Sequence, residues 1–364
     1  MAFSIREAMR ALHRFWYGEG AIARVARGAL APASWLFGAG VRLRAWRYDR
    51  TRDGVRESSL PSLSIGNLSV GGTGKTPVAA WAAAVLRARG GHPAIVMRGY
   101  GDDEPLVHAR LNPLVPVVRD ANRLRGVDHA RTLGADCVIL DDGFQHRRAA
   151  RVSDWVLVAA EHWRDDLRLL PVGPLREPIG ALERADIIIV TRKSAARDKA
   201  DQVARYLAAR FPRVGVAVCH LSLGARLDAR DGTESPIETL RGMRVVAVAA
   251  VGEPDAFFAQ LRAVGADIEE RSFADHHAFD ARDAASLARD AARFDGLVCT
   301  LKDVVKLAPH WPRAGAPLWY VSQNAVIEHG HAVLDRALEA VLAARQSVTS
   351  TAGVAGPSSS PYGH

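Results

Sequence analysis

A lysine and a threonine that close a run of glycines, and two aspartates that close an apolar run, are the residues of this chain best suited to handling a phosphate and a divalent cation. The first group is Ser69-Val70-Gly71-Gly72-Thr73-Gly74-Lys75-Thr76. It follows Leu63–Leu68, which reads as a buried strand, and precedes Val78–Leu86, an alanine-rich helix former. Strand, glycine loop and helix are the context of a P-loop. The glycines let backbone N–H groups converge on phosphate oxygens, and the helix N-terminus adds its dipole. Lys75 would reach the β- and γ-phosphates, and the Thr76 hydroxyl would ligate Mg²⁺. The general P-loop pattern places a glycine where this chain has Ser69, but Gly-Lys-Thr is intact.

The second group is Cys137-Val138-Ile139-Leu140-Asp141-Asp142, a Walker-B-like strand whose acids would serve Mg²⁺ beside the P-loop. Adjacent carboxylates are costly to bring together without a cation nearby. Arg98, after a further strand, reads either as a phosphate clamp or as an ordinary surface arginine. Asp102, Asp103 and Glu104 ahead of Pro105 read either as a solvated turn or as the source of a general base for phosphoryl transfer. The proline-stiffened segment Leu170–Pro178 presents Arg176 and Glu177, with a rigid connector as the plain alternative. Phe273–Phe279 sets Asp275 beside His276 and His277; a zinc site is discounted there, because no further ligands have suitable spacing. Lys302 and Asp303 follow a strand, where a surface salt bridge is the simple reading.

The elements that must position these groups alternate short apolar strands with helices. Strands are expected at 63–68, 94–97, 137–140, 155–159, 187–191 and 214–221, and helices at 78–89, 121–133 and 198–210. That alternation predicts an α/β fold, a P-loop NTPase-like parallel sheet covered by helices on both faces. The pattern restarts near residue 225 with strands at 244–250, 296–300 and 317–321 and helices at 254–264, 281–292 and 332–345. The expected organisation is a segment over 1–55, a P-loop core over 56–224, a smaller α/β domain over 225–345 and a Ser/Gly/Pro-rich disordered tail over 346–364.

Charge is unevenly placed. The net charge is +8, and residues 1–52 hold ten Arg and no Lys against Glu7, Glu19 and Asp49, so 10 − 3 = +7 lies there. The rest is near neutral, which argues against nucleic acid as a partner. The same segment holds Trp16, Tyr17, Trp35, Phe37 and Trp46 and an uncharged stretch, 28–41, too short for a spanning helix of ~20 residues. Arginines and tryptophans around it suit a peripheral or monotopic anchor at an anionic membrane surface, with a helix pair packed on the protein's own body as the bland reading. The late position of the apolar stretch fits a cleaved signal poorly. Cys137, Cys219 and Cys299 sit in apolar runs without metal-ligand spacing and read as reduced core thiols.

Taken in order, these motifs resemble one family, the tetraacyldisaccharide 4'-kinases (lipid A 4'-kinases) of Gram-negative bacteria. The resemblance spans about residues 16–345. It rests on the basic aromatic N-terminus, Gly66–Pro77, Arg98-Gly99-Tyr100-Gly101, Asp141–His146, Gly173–Glu177, Phe273–His277 and Lys302-Asp303. Ser69 is ordinary in that family. The resemblance implies transfer of the ATP γ-phosphate to the 4'-hydroxyl of an acylated glucosamine disaccharide 1-phosphate, with ATP and Mg²⁺ as cofactors and no obligate protein partner evident. It implies a place on the cytoplasmic face of the inner membrane. By the family's pattern Asp103 is the general base, assisted by His276, with Lys75 on the phosphates. Thr76, Asp141 and Asp142 serve the metal, and Arg98, Arg176 and Glu177 the substrate or metal shell. Two letters depart from it: Asp102 replaces a glycine, which makes it a competitor of Asp103, and Leu301 replaces a glutamate. A membrane-positioning ATPase is disfavoured because Val70 stands where its signature lysine would be. A GTPase is disfavoured because no Asn-Lys-x-Asp motif follows a strand.

Overall fold

The computed structural model describes residues 15–18, 20–51, 55–99 and 103–352. Asp102, with Tyr100 and Gly101, lies outside them, as do residues 1–14 and residues 353–364 of the expected tail. A single mostly parallel sheet organises the described chain. Strands β1 (Ser62–Asn67), β2 (Pro93–Met97), β3 (Val117–Arg119), β4 (Cys137–Asp141), β5 (Ser153–Ala159), β6 (Ile187–Arg192) and β7 (Gly215–Asp228) stand in the order β7-β6-β5-β1-β4-β2-β3, each parallel to its neighbour. The β1, β2 and β4 residues are buried on both faces, as expected of strands inside a helix-covered parallel sheet. Side chains of β5 alternate: Trp155 and Leu157 enter one core cluster, Val156 and Val158 the opposite one.

Helices α2 (Lys75–Ala88), α4 (Arg123–Thr132) and α5 (Arg197–Arg210) cover this half. Between α2 and α4 lies α3 (Asp103–Leu111), which starts within the acidic cluster that sequence left as a turn or a base. Acidic residues in a first turn complement the helix dipole, so the same letters serve either reading.

The second half extends the same sheet. Strands β9 (Arg244–Ala249), β10 (Asp267–Ser272), β11 (Gly296–Thr300) and β12 (Leu318–His329) follow the order β10-β9-β11-β12, and β12 pairs antiparallel with β7. The short β8 (Glu234–Ser235) also pairs with β7. Helices α6 (Pro254–Val264), α7 (Ala281–Ala291) and α8 (Leu301–Leu307) cover it. Residue 224 lies inside β7, which runs unbroken from the first half into the second. The chain returns along β12, whose early residues pair with β11 and whose later residues pair with β7 near β6. The last helix, α9 (His331–Ala352), packs on the first half, where Leu334, Leu338 and Val341 share a cluster with Val78 and Leu86. It runs past Arg345 into the stretch expected to be disordered, because an established Ala/Leu/Arg-rich helix propagates cheaply.

Within the basic segment, α1 (Ala21–Thr51) is continuous through Pro32. Ser34 Oγ donates to the Leu169 carbonyl at 3.0 Å, Trp16 Nε1 to the Pro171 carbonyl at 3.1 Å, and Arg147 pairs with Asp49. Its remaining surface carries Ile22, Val25, Trp35, Leu36, Leu43 and Trp46, all exposed. No helix among the described residues is long and apolar enough to cross a membrane.

Candidate active site

The P-loop leaves buried β1 and enters α2 at Lys75. Gly74 caps the helix at φ +87°, and a Cβ there would lie 2.2 Å from Leu221 Cδ1, so glycine is required on two counts. The loop is tied from outside. Asn67 Nδ2 donates to Thr73 Oγ1 at 2.9 Å, Thr191 Oγ1 to the Thr73 carbonyl at 2.9 Å, and Val70 N to the Pro174 carbonyl at 2.9 Å. Arg176 N donates to the Leu68 carbonyl at 2.7 Å, and Ser69 bridges to Leu175. Packing of the 174–176 segment on the loop is what brings Arg176 to the phosphate end of the sheet.

Strand β4 lies beside β1 and delivers the two aspartates. Asp141 Oδ2 lies 2.9 Å from His108 Nε2 on α3, and the Asp141 carbonyl accepts from Arg123 Nη2 at 3.0 Å. Burial pushes the Asp141 carboxyl up, but the His108 hydrogen bond and charge, with Lys75, hold it below the usual range. Asp141 Oδ1 is buried without a hydrogen-bond partner. Asp142 turns out of the strand at φ +53° and faces Lys75 Nζ at 3.5 Å and Arg176 Nη1 at 3.2 Å. An unpartnered carboxylate oxygen, a second carboxylate and the Thr76 hydroxyl form an all-oxygen donor set, and this fits Mg²⁺.

Asp103, 3% exposed, opens α3 and meets His276 from the second half: Nδ1 lies 3.1 Å from both Asp103 oxygens. Lys306 Nζ approaches the same carboxylate at 3.4 Å. Lys302 Nζ stands 3.0 Å from His276 Nε2 and 3.1 Å from Asp275. An ammonium can only donate, so Nε2 is the acceptor and Nδ1–H points to Asp103. Burial pushes the Asp103 carboxyl up; Lys302, Lys306 and His276 outweigh it and hold the group below its ordinary value. His276 sits in the left-handed region at φ +59°. His277 instead bonds Asp283 at 2.8 Å and packs between Phe273 and Phe279. Lys302 and Asp303 do not pair as a surface bridge. Asp303 is fully buried, accepts from Thr300 Oγ1 and the Ala250 N–H, and has its carboxyl pushed up by burial.

The P-loop, Asp141, Asp142 and His276 meet at a cavity of about 450 Å³ between the two halves, and Asp103 is joined to it through His276. Val70, Gly71, Gly72, Thr73, Gly74, Lys75, Thr76, Arg98, Asp141, Asp142, Arg176 and His276 line it, and Ser69 lies at the loop's outer edge. Glu177 is not brought there: both its oxygens engage Arg184, whose guanidinium lies over the Phe144 ring at 3.8 Å. Sequence reasoning missed His108, Lys193, Glu253 and Lys306. Lys193 carried one signal, its place just past a strand end in a sheet whose ligands gather there. For His108 and Lys306, distant pairing is the whole explanation.

A parallel sheet with a P-loop, a Walker-B acid beside it and a carboxylate–imidazole pair across the cavity defines a P-loop phosphotransferase. The chain belongs to the tetraacyldisaccharide-1-P 4'-kinase family, whose sequence profile matches residues 26–104 and 102–343. A tetraacyldisaccharide 4'-kinase of Halorhodospira halophila is 39% identical over 327 residues, 84% of this chain and 90% of that protein. One of Geobacter sulfurreducens is 38% identical, covering 81% of this chain and 88% of its own. A crystal structure of LpxK from Aquifex aeolicus in complex with ATP aligns with a TM-score of 0.68 at 25% identity, over 87% of this chain and 99% of that one.

Proposed function

We propose that this chain transfers the γ-phosphate of ATP to the 4'-hydroxyl of a tetraacyldisaccharide 1-phosphate. The observation that carries the reading is the meeting of P-loop, Asp141–Asp142 and His276 at one cavity, with the buried Asp103 bonded to that imidazole, in a chain of this family. Backbone N–H groups of Gly71–Lys75 would cradle the phosphates, with Lys75 and Arg176 neutralising charge that builds on the transferred group. Thr76, Asp141 and Asp142 would hold Mg²⁺, which would offset the negative charge of the phosphates. Asp103, with Nδ1–H of His276 fixed on it, accepts the proton of the attacking hydroxyl. Arg98 would bind an anionic group of substrate at the rim. Approach of the 225–330 unit to the P-loop half would exclude water around the transfer.

The acceptor's acyl chains fit a protein docked on a bilayer. Trp35, Leu36, Leu43 and Trp46 of α1 would enter an anionic headgroup region, with Arg42, Arg44, Arg47 and Arg50 beside them. Such docking would be at the cytoplasmic face of the inner membrane, where ATP is available. The test is transfer of labelled phosphate from ATP/Mg²⁺ to a lipid disaccharide 1-phosphate by the purified chain and by its Asp103→Ala form. No transfer by the parent overturns the kinase reading; unchanged transfer by the variant removes Asp103 from the role of base.

A further inference from the structure

Gly72 carries its carbonyl on the outer side of the phosphate loop, and that carbonyl accepts from Lys193 Nζ at 2.5 Å. Lys193 follows β6, and its main chain is held hard. The N–H groups of Lys193, Ser194 and Ala195 all donate to Glu161 Oε1. The same ammonium donates to Glu253 Oε2 at 2.7 Å, and Glu253 Oε1 lies 3.0 Å from His162 Nε2. Glu253 belongs to the other half of the molecule, at the start of α6. Lys193 and Glu253 both line the nucleotide cavity, and a Cβ on Gly72 would stand 3.3 Å from Lys193 Nζ. Burial pushes the Glu253 carboxyl up, but Lys193 and His162 draw it down to about 2, so that carboxylate is ionised at neutral pH.

We propose that Lys193 is a positioning residue for the nucleotide, pinning the P-loop through the Gly72 carbonyl, and that Glu253 sets where that pin stands. The loop's other outward anchors, Asn67, Thr191 and Pro174, belong to the first half. The Lys193 anchor alone among these four is shared with the second half, through the Glu253 salt bridge and a Gln260 Nε2 hydrogen bond to the Lys193 carbonyl at 3.4 Å. Loop shape therefore depends on where the second half sits, and a positive charge is held beside the phosphates without being spent on the Walker-B acids. A charge-assisted bond is stronger than a neutral one, and its loss is measurable. The inference rests on ATP being the donor.

The experiment measures ATP binding by calorimetry, with steady-state KM for ATP and for lipid alongside. Parent, Lys193→Met, Lys193→Arg, Glu253→Gln and the Met/Gln double variant are compared. Lys193→Met is expected to weaken ATP about tenfold, leave the lipid KM within about twofold and lower kcat by less than about threefold. Lys193→Arg restores most of the affinity. The double variant matches Lys193→Met alone, because Glu253 acts through the lysine. ATP binding by Lys193→Met within about twofold of parent overturns the proposal. Parallel rises in both KM values, or effects that simply add in the double variant, do so too. If Lys193→Met does not fold, Lys193→Gln keeps a donor to the carbonyl without charge and is read on the same scale. Failure of the parent to bind ATP at all refutes the proposed donor, not the role of Lys193.

Discussion

His108 holds one oxygen of Asp141 at 2.9 Å from within the helical layer, and the other oxygen of that carboxylate is buried with no protein partner. The imidazole thus fixes the rotation of the acid and aims its second oxygen at the phosphate end of the sheet. Outer partners of this kind typically contribute 10–100-fold in metal affinity or activity. His108→Ala should raise the Mg²⁺ concentration for half-maximal activity by about tenfold. His108→Gln, whose amide N–H can occupy the Nε2 position, should recover most of it. A Mg²⁺ titration of initial rates distinguishes the two, and an unshifted curve for His108→Ala would refute the assignment.

Asp103→Asn keeps the shape of the carboxylate and loses the proton acceptor. Its kcat should fall about 10²–10⁴-fold while ATP affinity holds. The flanking lysines make a second forecast. They hold the Asp103 carboxyl below its ordinary value against burial, so the base stays ionised as pH drops. Lys306→Met removes one of them, and the acid limb of the kcat/KM profile should then move to higher pH. A limb that stays in place or moves lower contradicts the geometry.

Asp154 behaves in the opposite sense. Burial pushes its carboxyl up to about 6 although Arg151 Nε stands 3.2 Å away. The native state therefore binds a proton that the unfolded chain releases near pH 3.8, and stability from this group declines as pH rises from about 4 to about 6. Asp154→Asn should remove that decline, a difference of about 3 kcal/mol. Urea midpoints at pH 4, 5, 6 and 7 for both proteins test it.

Trp35 and Leu36 are 74% and 76% exposed on α1. Replacing both with serine removes apolar surface without touching the Ser34–Leu169 tie. Partition onto anionic liposomes should drop by about tenfold, while ATP binding in solution stays the same. Equal partition by the two proteins would leave α1 as an ordinary surface helix.

Leu338 of α9 is fully buried among residues of the P-loop half. Leu338→Ala should cost about 2–5 kcal/mol and lower the thermal midpoint of nucleotide-protected unfolding. A loss below 1 kcal/mol would mean that α9 is dispensable to that core.

Much of this architecture was legible in local letters, and the exceptions have physical causes. Apolar runs such as Cys137–Leu140 and Ile187–Thr191 read as strands because they are buried on both faces. Asp267–Ser272 did not, since an edge strand with charged Glu269, Glu270 and Arg271 lacks that run. The α3 start was ambiguous because acids ahead of a proline suit a turn and a helix N-terminus alike. Within the site, Lys75, Thr76, Asp141 and Asp142 announce themselves by spacing. His108, Lys306 and the Lys193–Glu253 bridge exist only once distant strands pair. Glu177 shows the converse: it neighbours Arg176 in sequence, yet its side chain turns to Arg184.

The outward path along β7 and the return along β12 and α9 place the ends of the first core far apart in the chain. During synthesis the P-loop emerges long before the wall of its hydrophobic layer, Leu334, Leu338 and Val341. Until Leu334, Leu338 and Val341 arrive, the apolar faces of Val78 and Leu86 lack their final cover. The nucleotide half therefore cannot bury that face until the half that follows it in sequence has been made, and a nascent chain halted near residue 330 would expose the surface on which chaperones act.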